Sequence, residues 1–223
     1  MITRRESYFI IHCSLPDNII EGFSMRSLKE KFFFSFPKLY DLKISFLKKI
    51  NKMHALSIDH LVADKNIIDI GCGSRSLFYE PEKTASRTGI DSSPEMIESA
   101  KKIYPTSKHY VAFAEKLPFE DKSFDIALIQ FVLHHVEPEN WEKVLKEAKR
   151  VAKKHIIIFD HVKHDKFIPG FIQQSWWNLT DGGKIYRKEL DWKNILSNHN
   201  LNILNYKRVG SLFGNICFYH LKV

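Results

Sequence analysis

The stretch "NIIDIGCGSRS", residues 66 to 76, ends an apolar run on Asp69 and then breaks into two glycines, Gly71 and Gly73. In an open parallel sheet, ligands bind beyond the carboxyl ends of the strands, where the chain turns from strand to helix. A turn on Gly71 and Gly73 lets the backbone approach a bound molecule to van der Waals distance, which a Cβ would prevent. Its N–H groups can then meet a carboxylate or phosphate. About twenty residues on, "TGIDSSPEMI" ends a second predicted strand with Asp91, a spacing at which a carboxylate accepts both hydroxyls of a ribose. Asp69 and Asp91 are therefore expected to flank one crevice.

The residues after the glycines exclude two nucleotide-binding patterns. The dinucleotide fingerprint needs a third glycine for helix packing, and that position is Ser76, with the proline-interrupted "LFYEPEKTAS" after it. A P-loop would need Gly-Lys-Ser/Thr, which does not occur there.

The elements that must position these residues are legible from periodicity. From residue 66 onward, β-branched and aromatic runs alternate with helical patterns, the layout of a parallel sheet with crossover helices. Strands are predicted over 66–70, 87–91, 109–113, 124–130, 155–160, 202–207 and 216–222. "SSPEMIESAKKIY" has a serine cap, Pro94 in the first turn and Ile97, Ala100 and Tyr104 along one face. "PENWEKVLKEAKRVAK" carries an apolar stripe of Trp141, Val144, Leu145, Ala148 and Val151. A third helix over 189–199 packs through Trp192, Ile195 and Leu196, with Asn200 at the left-handed cap. The last two strands have no helix between them and read as a hairpin through "RVGSLFGN". The expected fold is thus α/β, Rossmann-like and doubly wound, with a mostly parallel seven-stranded sheet whose last strand is antiparallel.

Residues 1–60 differ in kind and are expected to form an N-terminal helical extension or lid, with the main domain over residues 61–223. "MRSLKEKFFFSFPKLYDLKISFLKKINKMHAL" reads as two helices broken at Pro37. Between Arg26 and Lys52 eight Lys/Arg stand against Glu30 and Asp41, so +6 of the formal net charge of +8 sits there. The segment is a packing appendage with a solvated lysine face, a lid, or a surface for an anionic partner. Cys13, Cys72 and Cys217 are far apart, so neither a disulfide framework nor a metal site is expected, and a cytoplasmic setting fits. The apolar run from Tyr8 to Ile11 is too short for a membrane span.

Together, "IIDIGCGS", "GIDSSPEMIESAKK" and "AEKLPFEDKSFDIALIQFVLHHV" resemble, in order and spacing, the first four motifs of the class I S-adenosylmethionine-dependent methyltransferases, in particular those acting on small molecules, quinones and lipids. The resemblance covers residues 66–136. It implies S-adenosyl-L-methionine as cofactor, with Gly71, Cys72 and Gly73 beside its methionine part and Asp69 orienting that turn and the amino group. It further implies Asp91 on the ribose, Ser92 and Met96 along the adenine, Ala114 and Glu115 by its ring, and Gln130 closing the methionine end. Two positions depart from the family pattern: Arg75 replaces a third glycine, and Phe113 an Asp or Asn that bonds the adenine amino group.

Methyl transfer from a sulfonium is an in-line displacement with a neutral leaving group, so most of the rate can come from positioning. If the nucleophile is a hydroxyl or a protonated amine, a base within reach helps. His135 and His161 are the candidates, with His134, Arg75, Tyr186 and Trp177 expected to face substrate; Asp160 shares that sheet edge. Motifs for exocyclic amine methylation of bases, for pyrimidine C5 methylation and for arginine methylation are missing from the sequence. A small-molecule, quinone or lipid acceptor is therefore the first expectation. RNA methylation through the basic segment comes second, and a non-catalytic cofactor-binding protein third.

Overall fold

The structure is a computed structural model that describes residues 42, 56–165, 167–180, 183, 185–211 and 214–223. The extension expected over residues 1–60 falls outside these, apart from Leu42 and residues 56–60. The described elements are α1 (Asp59–Val62), β1 (Asn66–Ile70), β2 (Ser86–Asp91), α2 (Pro94–Ile103), β3 (Lys108–Val111), β4 (Phe124–Gln130), α3 (Pro138–Val151), β5 (Ala152–Val162), α4 (Phe167–Thr180), α5 (Glu189–Asn198), β6 (Asn202–Ser211) and β7 (Gly214–Lys222). The seven strands form one sheet in the order β3-β2-β1-β4-β5-β7-β6. β7 runs antiparallel to both β5 and β6, and the other pairings are parallel. The expected fold class stands.

Both faces of the sheet are covered, which is why the central strands read as near-continuous apolar runs. On β1, Ile68 and Ile70 enter one core with Ala127, Ile129, Ile156 and Ile158, under α3 and α5. Ile67 faces the other way, into a core with Ile126, Leu128, Ile157, Phe159 and Phe78. There the Phe78 and Phe159 rings stack at 3.8 Å.

The helices form for the reasons their sequences suggest. The Ser93 hydroxyl accepts from the N–H of Met96 at 3.2 Å to cap α2, whose Met96, Ile97 and Ala100 are buried. α3 buries the five residues of its apolar stripe. Asn200 takes φ +52°, the left-handed conformation that ends α5. β6 and β7 pair through Gly210 with Asn215 and Ser211 with Gly214, the expected hairpin.

Three details depart from the pattern. β5 begins at Ala152, three residues before the predicted start, directly from the end of α3. β3 ends at Val111, so Phe113 lies past the sheet. α4 was not expected as an element, because Pro169 and Gly170 sit in its first turn, where they read as breakers.

Candidate functional site

The carboxyl ends of β1, β2 and β4 open on a cavity of about 340 Å³. Its walls include eight of the ten residues tied to a cofactor by the sequence: Gly71, Gly73, Asp91, Ser92, Met96, Ala114, Glu115 and Gln130. The two glycines have φ of +70° and +53°, where side chains are strained. At Gly71 an added Cβ would also run into Cγ2 of Val132.

Asp91 fastens this turn to the second strand. Its Oδ2 accepts from the N–H of Gly73 and its Oδ1 from the N–H of Ser93, each at 2.9 Å. Burial raises its pKa, and the two backbone donors oppose that shift. The N–H of Cys72 donates to Ile90 O at 2.8 Å. The turn's donors at Cys72 and Gly73 are therefore engaged inside the protein, and an anion is not what they meet. A carboxylate oxygen has two lone-pair sites, so Asp91 retains capacity toward the cavity.

Asp69 and Cys72 are not among the residues lining the cavity. Asp69 is fully buried behind Gln130. Its Oδ2 accepts from the Tyr79 hydroxyl at 2.8 Å and from Nη2 of Arg87 at 3.0 Å; its Oδ1 accepts from Nε2 of Gln130 at 2.9 Å. Arg87 in turn donates through Nε to the Tyr79 oxygen at 2.8 Å, and its Nη1 lies 3.0 Å from Nε2 of His109. A guanidinium only donates, so this His109 nitrogen accepts and the ring is neutral. Burial, then the charge of Arg87, lower the His109 pKa to about 4. The Cys72 thiol packs against Gly89, and burial pushes its pKa up.

The other side of the cavity is mostly apolar: Phe113, Phe131, Val132 and Val136, with His135, Glu137 and Asn140. Phe131 has φ +56°, an outlier for a bulky residue, and so turns the chain sharply at the end of β4. Phe113 is 62% exposed at the mouth. Arg75 is exposed and does not line the cavity.

His134, His161, Trp177 and Tyr186 come together in a second group, behind Phe131. Nδ1 of His134 lies 2.6 Å from Oδ1 of Asp160, and that carboxylate also accepts from the N–H groups of His134 at 3.3 Å and His161 at 2.7 Å. The Trp177 and Tyr186 rings stack at 4.4 Å, with His161 4.7 Å from Trp177 and His134 5.4 Å from Tyr186. His135, whose ring is 4.1 Å from that of His134, is the histidine on the cavity wall.

Sequence reasoning missed Tyr79, Arg87, Phe131 and Val132. Arg87 had one signal, a charge at the start of a predicted strand; the others had none.

Residues 68–159 match the family described as a methyltransferase domain. The demethylmenaquinone methyltransferase of Chlorobaculum tepidum is 36% identical over 92 residues, which is 40% of this chain and 37% of that protein. The ubiquinone/menaquinone biosynthesis C-methyltransferase of Rickettsia bellii is 32% identical over 152 residues, 60% of each chain. The chain thus spans at most 60% of the length of these relatives. Among solved structures, magnesium protoporphyrin IX methyltransferase from Synechocystis, with bound S-adenosylmethionine, superposes with a TM-score of 0.62 at 15% identity, over 90% of this chain and 98% of that one. That similarity speaks to the fold. Among the described residues no helix is long and apolar enough to cross a membrane.

Proposed function

We propose that the chain is a class I S-adenosylmethionine-dependent methyltransferase, a reading supported by the methyltransferase-domain match over residues 68–159, and that it methylates a small, largely apolar acceptor of the quinone or lipid kind. The observation that carries this reading is the make-up of the cavity. Among the described residues its charged lining consists of Asp91, Glu115 and Glu137, with no Lys or Arg; the rest combines the apolar Met96, Phe113, Phe131, Val132 and Val136 with the polar Ser92, Ser93, Gln130, His135 and Asn140. Carboxylates favour a cationic ligand and oppose phosphates, so the lining supports a small acceptor over RNA.

The residues fit the cofactor. The Gly71 turn admits no Cβ, and Asp91 presents lone pairs where a ribose would lie. Met96, Ala114 and Glu115 border the space for a flat ring, and Gln130 stands at the glycine end. When bound, S-adenosylmethionine supplies an electrophilic methyl group on a sulfonium.

The chain's own part is to place an acceptor atom in line and keep water out. Phe131, Val132 and Val136 form the apolar wall that does so. His135 stands on that wall and would take a proton from an acceptor hydroxyl. His161 lies behind Phe131, with ring centroids 4.9 Å apart, and is assigned to support of that ring; Trp177, Tyr186 and His134 complete the same backing.

Mass spectrometry after incubation with S-adenosylmethionine and a panel of demethylated quinones, phenols and structured RNAs tests the reading. Methylation of a quinol or phenol is the expected result. Methylation of RNA alone would overturn the choice of acceptor.

A further inference from the structure

β3 is an edge strand of the sheet, with exposed apolar side chains at its end. Val111 is 55% exposed and Phe113 62%, with Tyr110 at 43%. Phe113 also lines the cavity beside Ala112 and Ala114, so the patch runs into the cavity's mouth. Single exposed apolar residues are ordinary; a cluster at the entrance to a site marks a contact surface.

The edge itself says what kind of partner it fits. A partner strand is disfavoured, because β3 has four residues and starts on a lysine, and short edges with lysines resist pairing with another chain. Charge points the other way, to lipid. Between residues 108 and 116 the ionised side chains are Lys108 and Lys116, both exposed, against Glu115, which lines the cavity. Lys102 is exposed on α2, which packs against β3. Aromatic and aliphatic side chains flanked by lysines match the boundary between headgroups and acyl chains of an anionic bilayer, where the apolar groups bury and the lysines meet phosphates. The formal net charge of +8 has the sign that such a surface attracts.

We propose that the edge formed by Tyr110, Val111 and Phe113 docks on an anionic lipid surface and sets the cavity's mouth against the layer in which an acceptor of the quinone or lipid kind dissolves. The acceptor then passes from acyl chains to the apolar wall of Phe131 and Val132 without crossing bulk water. This inference rests on the proposed choice of acceptor and names the partner from which the site draws it.

Neither Val111 nor Phe113 belongs to a core, so both can be changed without opening one. Sedimentation of the full chain with vesicles of phosphatidylcholine, alone or mixed with phosphatidylglycerol, is the test. Binding to the mixed vesicles is expected, with a partition coefficient about tenfold lower in the double variant Val111→Ser with Phe113→Ser. Lys108→Glu with Lys116→Glu should lower it about fivefold or more, and added salt should shrink that difference. No binding, or binding that the serine variant leaves unchanged, would overturn the proposal. A concentration-dependent mass in light scattering that the serine variant abolishes, without vesicle binding, would make the edge a contact between copies of the chain and would overturn it too.

Calorimetry with S-adenosylhomocysteine keeps this inference and the methyltransferase reading apart. Vesicle binding with no heat from that compound would remove the methyltransferase reading and leave the docking edge. Heat without vesicle binding would do the reverse.

Discussion

Arg87 and Asp69 form an ion pair of 3.0 Å between neighbouring strands, with side chains 1% and 0% exposed. Each has further partners: Tyr79 bonds both, His109 meets the guanidinium, and Gln130 meets the carboxylate. Removing one member leaves the other as a buried, uncompensated charge.

Asp69→Ala or Arg87→Leu is therefore expected to lower stability by about 3–5 kcal/mol. The double variant should cost less than the sum of the two. Urea unfolding of the three variants measures this, and strict additivity would refute the coupling.

Gly71→Ala meets two obstacles, a left-handed backbone and Val132. A loss of roughly 1–3 kcal/mol in stability is expected, together with weaker binding of S-adenosylhomocysteine. The pair Gly71→Ala with Val132→Ala should recover part of it, because only the steric component is relieved. Thermal unfolding and calorimetry on both variants provide the check.

Asp91→Ala removes the acceptor for Gly73 and Ser93 as well as the group assigned to the ribose. A fall in affinity for S-adenosylhomocysteine of about 10- to 100-fold is expected. Adenosyl compounds whose ribose lacks both hydroxyls should lose less affinity in the variant than S-adenosylhomocysteine does, because only the disturbed turn affects them. An equal loss for both would place the ribose elsewhere.

His109 is neutral in the fold with a pKa near 4, against an ordinary 6.5. Between those values the unfolded chain binds a proton that the folded chain does not, so stability rises with pH across this window. It is fully present above about pH 6.5 and is lost as pH falls toward 4. His155 and His220, both lowered first by burial, act in the same direction. Urea midpoints from pH 7 to 4 should fall, and less steeply in His109→Gln.

Trp192 stacks on Trp141 at 5.1 Å and donates from Nε1 to the carbonyl of His161 at 3.2 Å. Trp192→Ala should cost about 3–5 kcal/mol. Trp192→Phe keeps most of the buried area but loses the hydrogen bond, and should cost less. Denaturant unfolding of the two variants orders them.

Where local rules sufficed, the reading from residues alone and the fold agree. Ser93 and Pro94 start a helix through capping and a fixed φ, Asn200 ends one, and the stripe from Trp141 to Val151 packs as its period requires. The same holds for Gly71, Gly73 and Asp91, whose spacing puts them at adjoining strand ends. α4 escaped because Pro169 and Gly170 speak locally for a break, although a proline is tolerated in the first turn of a helix. Asp69 shows the limit from the other side. Its place at a strand end was legible, but its side chain was expected at the crevice.

The chain's order of residue types, by itself, determined the α/β class and the placement of Gly71, Gly73 and Asp91 at adjoining strand ends, since each depends on periodicity and spacing. Tertiary structure alone decided that Asp69 lies behind Gln130 in the grip of Arg87 and Tyr79, and that His135, not His134 or His161, reaches the cavity wall. Those outcomes depend on the register between strands and on which side chains share the space at their ends, where burial forces every charge and polar atom to find a partner that no local pattern names.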